Sequence, residues 1–408
     1  MTAATHAFRL ALLTSAGVVA SSCGGGGSGS SAAAPPPAAA NVTTMVIDGG
    51  PVVNGSPTGT VNQAYVTITV CVPGTTTCQA IDHVWVDTGS SGLRLMASAF
   101  TPQLPVATQG GNNVGNCGQF LASYTWGAVR TADVKIGGEL ASSVPIQVIG
   151  DTAVPATAPA NCSNGSQAQT LGANGLLGIG VFLQDCGSGC SSTAAPGFYY
   201  TCPGGTCQPV SMTTNLQLQN VVGLFTTDNN GVLIQLPALS AAGAPTASGS
   251  LIFGIGTQSN NALGSAMVFA ADPNGNIHTT TTYGDLSEPA SFVDSGSNGF
   301  FFNDALTACS GNSAGFYCPA STASLSATML PFNSSSGFTY NFSIADANNL
   351  SGDAFNNLGG PGSTCDNTTV PCSFDWGLPF FFGRNVFTAL EGTTISGNAG
   401  PFFAASTP

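Results

Sequence analysis

Apolar and polar residues alternate along much of this chain. The run Val61-Asn62-Gln63-Ala64-Tyr65-Val66-Thr67-Ile68-Thr69-Val70 has period-two character and predicts a strand. Residues 81–86 predict a second strand that ends at Asp87, after a turn bounded by Cys71 and Cys78. Residues 119–137 predict a hairpin, with Trp126-Gly127 inside it and a closing turn at Ile136-Gly137-Gly138. Residues 251–254 open a second half with the same plan, in which residues 291–293 form a strand ending at Asp294. Helical periods are scarce. Only 213–222 and 303–309 predict helices, and 155–170 and 184–210 read as loop-rich, cysteine-bearing insertions. The expectation is a mainly β chain with few short helices.

The two aspartates sit in a repeated motif. Val86-Asp87-Thr88-Gly89-Ser90-Ser91-Gly92-Leu93 returns as Val293-Asp294-Ser295-Gly296-Ser297-Asn298-Gly299-Phe300. Each copy is followed by two apolar residues and a glycine. These are Leu176-Leu177-Gly178, whose glycine is 91 residues past Asp87, and Phe381-Phe382-Gly383, whose glycine is 89 residues past Asp294. One copy alone would read as a turn with a self-bonding aspartate. Two copies in register point to homologous half-chains, each donating one aspartate to a shared site. Paired carboxylates suit acid-pH peptide hydrolysis.

Composition narrows the class. The chain has 408 residues, enough for one bilobal unit or two domains with proper cores. Only 6% of residues are charged, and five Lys and Arg face 18 Asp and Glu. Such a surface repels phosphate backbones, so nucleic acid is not an expected partner. Little positive charge would remain to push the fold apart once the carboxylates protonate below about pH 4, and acid tolerance is expected.

Residues 1–22 read as an export signal, with Arg9 before an apolar stretch. Ala20-Ser21-Ser22 precede Cys23, and a Gly/Ser tether follows. This resembles the signal and lipobox of bacterial lipoproteins, which implies acylation of Cys23 and a lipid anchor, with Gly24 pointing to the outer membrane. Residues 23–44 then form a Gly/Ser/Pro/Ala linker. The twelve remaining cysteines suggest disulfides in an oxidising compartment. Spacing suggests the pairs Cys71/Cys78, Cys186/Cys190, Cys202/Cys207, Cys309/Cys318 and Cys365/Cys372, leaving Cys117 and Cys162 as long-range partners.

With these residues in hand, the chain resembles the pepsin-like aspartic peptidases, and among them uncharacterised bacterial lipoproteins. The likeness spreads over roughly residues 60–405. It implies a bilobal, pseudo-twofold double-ψ β-barrel architecture, with an N-terminal lobe over 45–240 and a C-terminal lobe over 241–408. By that resemblance Asp87 and Asp294 hold a water between them and share one proton. Thr88 and Ser295 lock the two loops together, while Ser90 and Ser297 bond the outer carboxylate oxygens. Gly89 and Gly296 allow close approach. Leu176, Leu177, Gly178, Phe381, Phe382 and Gly383 form an apolar shell beneath the loops. The family's flap tyrosine is altered here, and Phe120 and Tyr124 are the candidates for its place, with core packing the competing role for each. Arg94 replaces an aromatic and is a candidate for tuning the cleft, with a surface position the alternative.

Other chemistries fit less well. Gly311-Asn312-Ser313-Ala314-Gly315 matches a serine-hydrolase elbow, but no histidine follows it. His83 and His278 are at no metal-ligand spacing, and Gly254-Ile255-Gly256 lacks a third glycine. No metal and no cofactor are expected. The expected partners are a peptide or protein substrate and a membrane through Cys23, with the chain monomeric. A non-catalytic pepsin-fold surface binding lipoprotein is the alternative.

Overall fold

The computed structural model describes residues 40–120, 123–162, 166–167, 171–194, 197–282 and 286–406. Cys23, the signal segment and most of the linker lie outside them, as do Leu121 and Ala122 of the flap stretch. The described chain is mainly β. Its strands form one sheet of 17 strands, one of 7 and two two-stranded ribbons, and its one α-helix is the short Ser188–Ser192. Among the described residues no helix is long and apolar enough to cross a membrane.

Each aspartate is delivered by the second strand of a hairpin. In the first half Ala64–Cys71 pairs antiparallel with Cys78–Asp87. In the second, Ile277–Thr281 pairs antiparallel with Ser287–Val293. The chain then turns through the motif loop and continues as Ser91–Met96 or as Phe300–Phe302. A later strand inserts beside the aspartate strand, parallel to it and antiparallel to the strand after the loop. In the first half that strand is Gly175–Ile179, which sets Gly178 opposite Asp87 and Leu177 opposite Leu93. In the second half it is Asp375–Trp376, which sets Trp376 opposite Val293 and Phe300. Leu93 and Phe300 each lie six residues past their aspartate, so the two registers are equivalent.

That register corrects one expectation. The apolar-Gly partner of the second loop is Trp376-Gly377, not Phe381-Phe382-Gly383. The Asp294 amide donates to the Trp376 carbonyl at 3.1 Å, and a Cβ on Gly377 would stand 2.1 Å from the Gly299 carbonyl oxygen. Phe381 closes a buried 3-10 turn, Leu378–Phe381. Phe382 bridges to Leu236, and the Gly383 amide donates to the Leu236 carbonyl. These residues pack the core against a different strand.

Strands from both sides of residue 240 share the large sheet. Gly231–Gln235 pairs with Ala247–Phe253 and with Asn385–Ala389. Val42–Ile47 also pairs with Ala247–Phe253, so Val42, Thr43 and Thr44 are strand rather than linker. Their β-branched side chains fit a ladder better than a tether.

Neither predicted helix forms. Residues 213–222 hold two 3-10 turns, Thr214–Leu216 and Val221–Leu224, separated by extended chain. Tertiary bonds hold the middle open: Gln217 Nε2 donates to the Gly187 carbonyl at 2.8 Å, and the Leu218 amide donates to Tyr199 Oη at 2.7 Å. Residues 303–309 pair instead with 316–318, through Cys309 N to the Phe316 carbonyl and Cys318 N to the Thr307 carbonyl. The Cys309–Cys318 disulfide clips that ribbon. All six disulfides join the pairs suggested by spacing, including Cys117–Cys162.

Candidate active site

The two motif loops mirror one another atom for atom. The Gly89 amide donates to Asp87 Oδ1 at 2.8 Å, and the Gly296 amide donates to Asp294 Oδ1 at 2.7 Å. Ser90 Oγ donates to Asp87 Oδ2, and Ser297 Oγ to Asp294 Oδ2 at 2.9 Å. The loops are then locked to each other. Thr88 Oγ1 donates to the Val293 carbonyl at 3.1 Å and accepts from the Ser295 amide at 2.9 Å. Ser295 Oγ donates to the Val86 carbonyl at 2.9 Å and accepts from the Thr88 amide at 3.1 Å. All four bonds are buried, where a lost partner costs most.

This lock brings the carboxyls together. A Cβ on Gly89 would stand 2.7 Å from Asp294 Cγ, and one on Gly296 would stand 2.5 Å from Asp87 Oδ1. Each carboxyl thus lies against the glycine of the opposite loop, close enough for Asp87 to act on the protonation of Asp294. Asp87 is 5% exposed and Asp294 9%. Burial pushes the Asp294 carboxyl well above the usual range, and the charges of Asp87 and then Asp375 push it further. Such a pair holds one proton where two isolated carboxylates would hold none.

Asn62 adds a second link between the halves. Its side chain donates to the Phe355 carbonyl at 2.8 Å and to the Asn298 carbonyl at 2.9 Å, and it accepts from the Phe355 amide at 2.7 Å. Beside Asn298 is a cavity of about 430 Å³, lined by Thr60, Gln63 and Gly172 from the first half and Phe316, Phe355 and Leu358 from the second. A smaller one of about 170 Å³ lies at Thr88–Ser91, between Phe182 and residues 274–276.

The other candidate residues are placed as follows. Leu176, Leu177 and Gly178 lie beside the Asp87 strand, all buried. Phe120 and Tyr124 flank the tip of the hairpin formed by Asn112–Gln119 and Ser123–Ile136. Tyr124 packs towards Cys117, Trp126 and Tyr200. Phe120 lies under the Arg94 guanidinium, 5.5 Å from its centre. Arg94 is buried, not at the surface. It donates to the Ser91 carbonyl at 2.9 Å and pairs with buried Asp185 at 3.5 Å. The charged groups acting on Asp294 are Asp87 and Asp375, and Arg94 is not among them. His83 pairs with Asp82 and Asp48 and meets the Tyr65 ring edge-on. Among the described residues, the grouping Cys309, Cys318 and Asp346 has metal-ligand types, but its two sulfurs are joined to each other.

Residues 37–405 match the model of a family described as "Protein of unknown function (DUF3443)". The chain belongs to that family. No curated protein matches this DUF3443 chain. Among solved structures it is similar to the crystal structure of aspartic proteinase from Irpex lacteus, with a TM-score of 0.49 and 14% identity, over 90% of this chain and 96% of that one.

Two buried acids went unnoticed in the sequence: Asp375, beside the DUF3443 site, and Glu288, at the far end of the strand that delivers Asp294. Glu288, fully buried on the strand that delivers Asp294, is pushed up to about 7 by burial, with the nearby Asn303 backbone drawing it down. Because the folded state holds this proton more tightly, stability is full below about pH 4.5 and falls as the pH rises towards 7. The loss is about 3 kcal/mol for such a shift. Asp366 works in the opposite sense below its usual pKa, held low by the Thr369 side chain and by the Val370, Thr369 and Thr368 amides. The expected result is a urea midpoint higher at pH 4.5 than at pH 7.5, with a smaller difference in Glu288→Gln. An unchanged difference in that variant would remove Glu288 from the account.

Proposed function

We propose that this chain is an aspartic endopeptidase, tethered to the bacterial cell envelope through a lipid on Cys23. The observation that carries the proposal is the interlocked pair of motif loops, with two buried carboxyls each set against the glycine of the opposite loop. In this reading the ionised carboxylate takes a proton from a water whose oxygen adds to the scissile carbonyl carbon. The protonated carboxyl gives its proton to the carbonyl oxygen. Collapse then breaks the C–N bond, and the nitrogen leaves as an amine after taking up a proton from the pair. No bond to the enzyme forms.

The cavities at Asn298 and at Thr88–Ser91 support an extended peptide as substrate, with apolar side chains at the cut. A monomer at the outer membrane, without nucleic acid or cofactor, completes the proposal. A second reading is a non-catalytic binding lipoprotein, favoured by the hairpin tip, where Phe120 on Arg94 offers no hydroxyl to a bound peptide.

Cleavage of casein and of quenched peptides from pH 3 to 6, with and without a statine-type inhibitor, separates the two. Cleavage blocked by the inhibitor is expected. No cleavage at any pH, with the inhibitor still binding, would favour the binder.

A further inference from the structure

Asp375 breaks the mirror between the halves. Cross-strand pairing sets Leu176 opposite Arg94 in the first half and Asp375 opposite Phe301 in the second. Arg94 and Phe301 each lie seven residues past their aspartate, so Asp375 occupies the position that Leu176 holds. Leu176 is an apolar neighbour of its loop, and Asp375 is a third carboxyl beside the pair.

The strand geometry explains how an acid survives there. Alternate side chains point to opposite faces. Phe374 and Trp376 enter the aromatic core, their rings stacked at 4.2 Å, and Phe302 stacks on Phe374 at 4.8 Å. Trp376 Nε1 also donates to Thr279 Oγ1 at 3.0 Å. Asp375 lies between them in sequence and so takes the other face, towards the motif loop. It is 8% exposed, and its Oδ1 is buried without a partner among the described residues. Ser297 draws the Asp375 carboxyl down, its carbonyl accepts from the Leu378 amide at 2.7 Å just past Asp375, and its hydroxyl donates to Asp294 Oδ2 at 2.9 Å. Ser297 therefore stands between two carboxyls.

We propose that Asp375 is a positioning residue of the catalytic pair, taking the second negative charge of a three-carboxyl cluster and so keeping the shared proton on Asp294. The inference rests on the peptidase reading of the same site. A serine hydroxyl has one hydrogen to give. When Asp375 is ionised it draws that hydrogen, and Ser297 Oγ then accepts from a proton on Asp294 Oδ2. The chain of bonds runs from Asp294 through Ser297 to Asp375, and Asp87 stays the ionised partner. No covalent bond forms or breaks in this relay, and the cluster's proton count changes only by exchange with solvent.

The electrostatic surroundings agree. Burial pushes Asp375 up to about 8, Ser297 draws it down and the charge of Asp87 raises it. Asp375 in turn raises Asp294. The strands on either side present Phe292 and Phe301 in register with it, and the motif loop presents Asp294 and Ser297. Glu288 lies on the strand Ser287–Val293, at the end away from Asp294. No Arg, Lys or His is among the groups acting on Asp375 or Asp294. Only the apportioning of protons keeps three carboxyls together without a cation.

The test is the pH profile of kcat/KM from pH 3 to 10 for the wild-type chain and for Asp375→Asn. Removing the repulsive charge lets Asp294 ionise sooner, so the alkaline limb is expected to move towards acid by about one pH unit or more. The acid limb and KM should stay in place. An unmoved alkaline limb overturns the proposal, since a merely structural role would change the height of the profile and not its limb. Carbon-13 titration of the aspartate carboxyls in the wild-type chain gives a readout without substrate. As the pH rises Asp375 is expected to ionise before Asp294, and ionisation of Asp294 ahead of Asp375 overturns the inference even if Asp375→Asn fails to fold. Loss of all peptide cleavage in the wild type alongside the expected titration would instead sink the peptidase reading alone.

Discussion

Asp87→Asn is expected to lower kcat/KM for peptide hydrolysis by about 10³-fold, the scale of a lost general base. The amide is nearly the size of the acid, and its oxygen can still accept from the Gly89 amide, which bonds Asp87 Oδ1 at 2.8 Å. It cannot take a proton from water. The fold should be little affected, because the loops are held by Thr88 and Ser295 rather than by the carboxyls. Removing one of two facing acids also relieves repulsion, so urea stability should hold or rise slightly. Asp294→Asn should be similarly inactive for the complementary reason: its amide can donate a hydrogen bond but cannot surrender a proton to the leaving nitrogen. Steady-state cleavage of a quenched peptide at the wild-type optimum measures both. Residual activity within tenfold of wild type in Asp87→Asn would take the pair out of the chemistry.

The largest stability effect is expected from the long disulfide. Cys117 and Cys162 are separated by 45 residues, and replacing both with serine frees a loop whose closure entropy is worth about 4 kcal/mol. The cysteines sit at 0% and 1% exposure in a cluster with Trp126, Val154 and Tyr200, so two serine hydroxyls would be buried among apolar groups as well. The comparison is the Cys71–Cys78 bridge, separated by 7 residues, whose loss should cost about 2 kcal/mol on the same basis. Urea unfolding of the two double variants decides it. Equal losses would mean that loop length is not what makes Cys117–Cys162 matter. Cys117 lies on the first strand of the hairpin that carries Phe120, so slower peptide cleavage should accompany its loss.

How far the site could be read from sequence differs from residue to residue. The motif around Asp87 and Asp294 needed no structure to be noticed, because the same short-range bonds are built from the same residues in each copy. Five of the six disulfides close loops of under ten residues, where neighbours in sequence are neighbours in space. The second apolar-Gly segment was misplaced for a related reason. Phe381-Phe382-Gly383 has the right composition and nearly the right distance. Trp376-Gly377 comes 83 residues after Asp294, and an acid stands in its apolar pair. Only strand register distinguishes them. The helix expected at 213–222 fails because Gln217 and Asn220 bond to residues 187 and 180, which no local pattern encodes.

By itself the sequence determined a mainly β chain of two like halves, the two motif loops and the short cysteine clips, since these follow from alternation, repetition and nearness along the chain. The tertiary structure decided which strand lies beside Asp294, that Arg94 is matched by Asp185, that Asp375 is a buried acid beside the pair, and that Glu288 is buried at the far end of the Asp294 strand. Those outcomes depend on register and on burial between distant segments, and a side chain's charge state is set by what surrounds it rather than by what precedes it.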